Sequence, residues 1–263
     1  MADFGSLAAQ ESVDRSVQTD ERAEPVRPET APPPSRRLLA ILYDIHGNLP
    51  ALDEVLAEAQ AAGAERYLLG GDYVAPEPLG SATLARLREL EHATWIRGNG
   101  ERWLTEPPED RPEIVPVVKL MARDLANEVE RLYDLPTRAE HDGVLYVHGS
   151  PLSDVESFAR EPGADDEKML DGVSDRAIVF GHSHLQFRRP GPNGTDLVNP
   201  GSVGMPLDDD VRAAWALRLD GGDFEFRRTE YDVARQASAY RALPDEYAEA
   251  RELFARRIER GSD

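Results

Sequence analysis

The stretch Leu38–Asp72, "LLAILYDIHGNLPALDEVLAEAQAAGAERYLLGGD", decides the fold. Leu38 to Tyr43 is an apolar run of strand length, and it ends in the polar loop "DIHGN". From there Leu49, Leu52, Val55, Leu56 and Ala59 recur at helical spacing until Gly63 stops the helix. "RYLLGGD" reads as a second strand, again closed by a polar pair, Gly71-Asp72. "LGSATLARLRELE" repeats the helical pattern and "ATWIRGN" the strand. Strands alternating with helices imply βαβ units and a parallel sheet.

Further along, the pattern changes. Residues 112–136, "PEIVPVVKLMARDLANEVERLYDLP", predict one longer helix broken near Pro116. "TRAEHDGVLYVHGSP" reads as two strands joined at Asp142-Gly143, a hairpin signal. "RAIVFGHSH" is another strand. "FRRPGPNGTDLVNPGSVG" and "AAWALRLDGGDFEFRRTEYD" read as hairpins, and two helical segments follow, around "DVARQASAYRAL" and "DEYAEARELFARRIER". The expected architecture is one α/β domain with parallel and antiparallel strands over residues 37–263. Residues 1–36 carry five prolines, many charges and few large apolar side chains, so a disordered or flexible tail is expected there.

Composition excludes several classes. Lys and Arg total 30 against 50 Asp and Glu, a formal charge of −20, which opposes coating of long nucleic acid. Cysteine is absent, so there is no disulfide framework, thiolate nucleophile or Cys-based zinc site. Any metal site must use His, Asp, Asn or Glu, a donor set that suits Mn, Fe or Zn. No apolar run approaches a membrane span, and the N-terminus lacks the basic start and apolar core of a secretory signal. A soluble cytoplasmic protein is expected.

Five predicted strands end in short polar clusters: Asp44 and His46, Asp72, Asn99, His148, and His182 with His184. In open α/β sheets, ligands bind beyond the carboxyl ends of strands, so these residues are expected to converge. Every one is a metal-ligating type. His182 and His184, two apart in what reads as an extended segment, are expected to face the same way, either as a pair for one site or one for each of two metals. Gly71, Gly98 and Gly181 remove side-chain bulk where the backbone must turn close to a ligand. His92 and His141 belong to no cluster.

The ordered set Asp-x-His, Gly-Asp, Gly-Asn, His, Gly-His-x-His resembles the signature of the calcineurin-like metallophosphoesterases. It spans about Leu38 to Gly204, and "NPGSVG" (Asn199–Gly204) resembles the segment after the last motif in the small bacterial phosphodiesterase branch. The resemblance implies a four-layer α/β/β/α sandwich with two mixed β-sheets. It also implies two divalent metal ions, bridged by an aspartate and a water-derived hydroxide, with Mn2+ expected and Fe or Zn as alternatives. On the matching positions Asp44, His46 and His184 would hold the first metal, Asn99, His148 and His182 the second, and Asp72 would bridge them. Asp72 and Asn99 are then the catalytic candidates, and the expected substrate is a small phosphodiester such as a cyclic nucleotide. A phosphomonoesterase or dinucleoside polyphosphate hydrolase is the alternative, and a non-catalytic metal-binding scaffold a more distant one.

Two departures from the family pattern sharpen the expectation. Many members read Gly-Asn-His followed by an acidic residue at the third motif, with the histidine assisting the leaving oxygen. Here "RGNGERW" places Gly100 at that position and retains Glu101. Loss of a general acid weighs most on poor leaving groups and favours a phosphodiesterase over a general phosphomonoesterase. Family protein phosphatases carry a phosphate-binding arginine after the Gly-Asp motif, and "GDYVAPEP" has none. Arg97 and Arg102 flank Asn99 and are candidates for substrate contact, with Asn99 itself. Trp103 reads first as a packing residue, with stacking on a base as the alternative.

Overall fold

The computed structural model describes residues 38–262. The expected tail, 1–36, lies outside them. Among the described residues, ten strands form two five-stranded sheets. The first contains β1 (Leu38–Leu42), β2 (Ala64–Leu69), β3 (Ala93–Trp95), β9 (Ala213–Arg218) and β10 (Phe224–Thr229), in the order β10-β9-β1-β2-β3. The second contains β4 (Arg138–His141), β5 (Val144–Val147), β6 (Ala177–Val179), β7 (Gln186–Pro190) and β8 (Asp196–Pro200), in the order β4-β5-β6-β8-β7. Both are mixed. β1, β2 and β3 run parallel while β9 is antiparallel to β1 and β10, and β5, β6 and β8 run parallel between antiparallel β4 and β7.

Side-chain alternation along β1 builds two cores at once. Leu39 and Ile41 point into the space between the sheets, with Leu68, Ile96, Tyr146, Val179 and Val198. Ala40 and Leu42 point the other way, into a core shared with α1 (Leu49–Ala61), α2 (Leu79–Arg88), α7 (Val233–Arg241) and α8 (Ala248–Arg260). Each fully buried Leu or Ile in these layers contributes about 2 kcal/mol. A third cluster, with Phe158, Leu170, Phe180 and Phe187, covers the outer face of the second sheet beneath the short helix α6 (Asp166–Met169). The layers therefore run helix, sheet, sheet, and a thin covering of α6 and loops.

The hairpin at Asp142-Gly143 forms as its sequence predicts, with both residues at positive φ, 50° and 78°. Residues 112–136 differ from expectation. Pro116 does not break a helix; it sits in the first turn of α4 (Val115–Asp124), where a missing N–H costs nothing. The interruption comes later, between α4 and α5 (Val129–Tyr133).

Candidate metal centre

The loops after β1, β2 and β3 meet those after β5 and β6 at one edge of the sandwich. There the structure brings together all seven of the predicted ligand residues. Two groups stand out: Asp44 with His46 and His184, and Asp72 with His148 and His182, each with its ligand atoms within 4.8 Å of one another. Asp72 faces both. Its Oδ2 lies 3.8 Å from His46 Nε2 and its Oδ1 lies 3.5 Å from His148 Nε2. Asn99 opens the short helix α3 (Asn99–Trp103), and the end of its side-chain amide lies 3.0 Å from His148 Nε2 and 2.7 Å from His182 Nδ1.

His182 and His184 do not extend from a strand. β6 ends at Val179, and both histidines are in the left-handed region, at φ 64° and 59°. Alternation therefore does not set their directions, and of the two expected arrangements the one present is one histidine in each group. Asp44, His46 and Asp72 share that backbone region, at φ 54°, 46° and 57°. Such conformations cost energy in a non-glycine residue and persist only where the surroundings enforce them.

The surroundings are specific. His184 Nδ1 donates to the Met205 carbonyl at 2.6 Å, and His148 Nδ1 to the Gly70 carbonyl at 2.8 Å. This orients both rings with Nε2 toward the cluster. Ser202 Oγ donates to the Asp44 carbonyl at 2.7 Å, and Asn48 Nδ2 to the Gly204 carbonyl at 2.8 Å. Asn199 Nδ2 donates to Gly181 O and Ser183 Oγ, at 3.1 and 3.0 Å. "NPGSVG" therefore braces the Asp-x-His loop and the Gly-His-x-His loop together. The approach is tight at Gly98, where a Cβ would lie 2.3 Å from Asp72 Oδ1. At Gly71 (φ +99°) a Cβ would lie 2.6 Å from the Gly98 nitrogen.

Electrostatics shows what the cluster lacks. Asp44 is fully buried; Oδ2 accepts from the His182 N–H at 3.0 Å, whereas Oδ1 has no hydrogen-bond partner. Burial pushes its carboxyl up to about 8. Burial also acts to raise Asp72, but the His148 charge outweighs it and holds Asp72 well below the usual carboxylate range. In return, and against the effect of burial, Asp72 lifts His148 to about 10. Burial lowers His46 and His184, and burial with the His148 charge pushes His182 down to about 4. An orphaned buried carboxylate oxygen, carboxylates needing positive charge and three neutral imidazoles are the chemistry of a divalent-cation site. The residues present fit such ions.

The description "Calcineurin-like phosphoesterase superfamily domain" matches residues 38–222. The chain belongs to the calcineurin-like phosphoesterase superfamily. Among curated proteins, this phosphoesterase is similar to uncharacterized protein MJ0912 of Methanocaldococcus jannaschii. The two are 25% identical over 228 residues, covering 76% of this chain and 90% of that protein. Its fold is similar to the crystal structure of a metallophosphoesterase from Sphaerobacter thermophilus, with TM-score 0.69, 22% identity, and 86% and 99% of the two chains covered. A similar match is hypothetical protein PH1004 from Pyrococcus horikoshii OT3, with TM-score 0.68, 21% identity and the same coverage of 86% and 99%.

Two of the expected substrate contacts are committed elsewhere. The Arg97 guanidinium donates to the Tyr133 carbonyl at 2.7 Å and lies over the Tyr133 ring. Arg102 holds Asp154 with two hydrogen bonds, of 2.6 and 2.7 Å. Sequence reasoning missed the scale of Glu101's role. The Glu101 carboxylate is fully buried and accepts from the N–H groups of Asp72, Tyr73, Val74 and Gly98. The signal for it was the acidic residue kept two positions after Asn99.

Proposed function

We propose that this phosphoesterase is a dinuclear metal-dependent phosphodiesterase of the cytoplasm, acting on small phosphodiesters such as cyclic nucleotides. In this reading Asp44, His46 and His184 hold one divalent cation, Asn99, His148 and His182 hold the other, and Asp72 joins them. Mn2+ is the ion we propose. A pair of such cations supplies Lewis acidity that activates water at neutral pH and neutralises charge developing on phosphoryl oxygens. Two carboxylates against two divalent ions leave the site at about +2, enough to draw in a phosphate despite the −20 of the whole chain. The residues around the site hold it rigid: Glu101 fixes the Asp72 and Asn99 loops, and Ser202 and Met205 fix Asp44 and His184. Asn99 is proposed to position the substrate as well as to ligate.

The observation that carries the reading is Asp72, with one carboxylate oxygen turned to each ligand group. Preference for a diester rests on Gly100, which cannot give a proton to a poor leaving group. The test is metal-depleted protein with Mn2+ added back, assayed in parallel on bis-p-nitrophenyl phosphate and p-nitrophenyl phosphate. Mn-dependent turnover favouring the diester is expected. Turnover favouring the monoester would sink the diester assignment. Asp72→Ala should lose both cations by elemental analysis, and full activity in that variant would show the site to be wrong.

A further inference from the structure

Beside the cluster a cleft of about 400 Å³ opens, and His182 forms part of its floor. That volume lies within the range of small-molecule sites. Trp103 with Pro107 and Pro108 forms one part of its wall, and Val155, from another segment of the chain, forms a second. The two parts are joined by the paired hydrogen bonds from Arg102, next to Trp103, to Asp154, next to Val155. Val155 is 40% exposed and Leu152, on the same loop, 51%; large apolar side chains are exposed at only one other place among the described residues. The rest of the lining is polar. Glu106, Glu109 and Asp110 supply carboxylates, and Arg111 is the cation that no ion pair among the described residues consumes.

We propose that this cleft is the specificity pocket of the phosphoesterase and holds an amino-bearing nucleobase on a substrate with a single phosphate group. This deepens the proposed function and rests on it. The base stacks on Trp103, beside the prolines and Val155. The carboxylates accept from exocyclic amino groups or sugar hydroxyls, which adenine-type bases and riboses offer. Arg111, in the same cleft as His182, meets the oxygens of the phosphate that the metal cluster holds. The charge pattern limits the substrate. Three carboxylates line the cleft against one uncommitted arginine, so a second or third phosphate has no partner there. The alternative of a dinucleoside polyphosphate substrate is therefore disfavoured.

The test is isothermal titration calorimetry on the Mn2+-loaded full chain with AMP, UMP, ADP and inorganic phosphate. AMP should bind about tenfold tighter than inorganic phosphate, the advantage expected of one stacked base. UMP, which lacks an exocyclic amine, should bind more weakly than AMP, and ADP no tighter. Trp103→Ala should erase the advantage of AMP over phosphate while leaving phosphate affinity unchanged, and Trp103→Phe should restore most of it. Arg111→Gln should weaken AMP and phosphate alike. If phosphate binds but AMP gains nothing over it, or if Trp103→Ala leaves the gain intact, the cleft assignment falls and the metal-site reading stands. If ADP binds much tighter than AMP, the single-phosphate limit is wrong. If the loaded protein neither binds phosphate nor turns over bis-p-nitrophenyl phosphate, the proposed function falls, and this inference with it.

Discussion

Glu101 accepts from Asp72 N at 2.9 Å, Tyr73 N at 2.8 Å, Gly98 N at 2.9 Å and Val74 N at 3.3 Å, so one carboxylate ties together two loops that carry candidate metal ligands. Glu101→Gln keeps the shape but turns an acceptor into a donor against backbone donors. We expect a loss of about 3 kcal/mol in urea unfolding of the metal-free protein; a loss below about 0.5 kcal/mol, the size of an ordinary surface substitution, would show the loops to be held by other contacts. Gly100 is a different kind of residue. Its N–H donates to Asp72 Oδ1 at 2.7 Å, and a Cβ there would lie 2.9 Å from the same oxygen. Gly100→His supplies a proton donor but also crowds Asp72, and Gly100→Ala separates the two effects. Relative to Gly100→Ala, Gly100→His should raise turnover of monoesters with basic leaving groups by about 10²-fold or more. Equal rates would place proton donation elsewhere.

At the scale of elements, the segment from β8 to Met205 acts as a brace. Ser202 Oγ donates to the Asp44 carbonyl and accepts from Met205 N at 2.8 Å, and Met205 O in turn orients His184. Ser202→Ala should cost about 1–3 kcal/mol of stability. It should weaken the cation held by Asp44, His46 and His184 by about 10–100-fold, as loss of an orienting partner does. Metal titration followed by calorimetry checks this; equal weakening of both cations would contradict a brace for one group. α7 supports the same loop from the other side. Tyr240 Oη donates to the His46 carbonyl at 2.8 Å and Gln236 Nε2 to the Gly47 carbonyl at 3.3 Å. The helical pattern of "DVARQASAYRAL" is plain in the sequence, but nothing in it announces that Tyr240 reaches a ligand loop 194 residues away. The Gly-His-x-His reading shows the opposite failure. Both residues lie in the cluster, but the segment is not extended, because tertiary contacts hold both histidines at positive φ.

At the scale of the whole molecule, the cations should be part of the fold's stability. Asp44 Oδ1 is buried without a hydrogen-bond partner, and a ligand that binds only the folded state stabilises it by mass action. At about a thousand times the dissociation constant, each site adds about 4 kcal/mol. For a domain of this size that raises the melting temperature by about 8–16 °C. Differential scanning calorimetry with Mn2+ and with chelator measures it, and an unchanged transition would mean that the cluster binds no ion in the folded protein. No helix among the described residues is long and apolar enough to cross a membrane. The sequence by itself determined the strand–helix alternation, the hairpins and the choice of candidate ligand residues. Those follow from local periodicity, turn chemistry and side-chain type, all of which act over a few residues. Tertiary structure alone decided that the two candidate groups meet around Asp72, that Glu101 ties two loops, that Arg97 and Arg102 are spent on Tyr133 and Asp154, and that Trp103 and Val155 line one cleft. These depend on pairs as far apart as His46 and His184, 138 residues along the chain, whose meeting is set by sheet order and packing and leaves no local pattern to read.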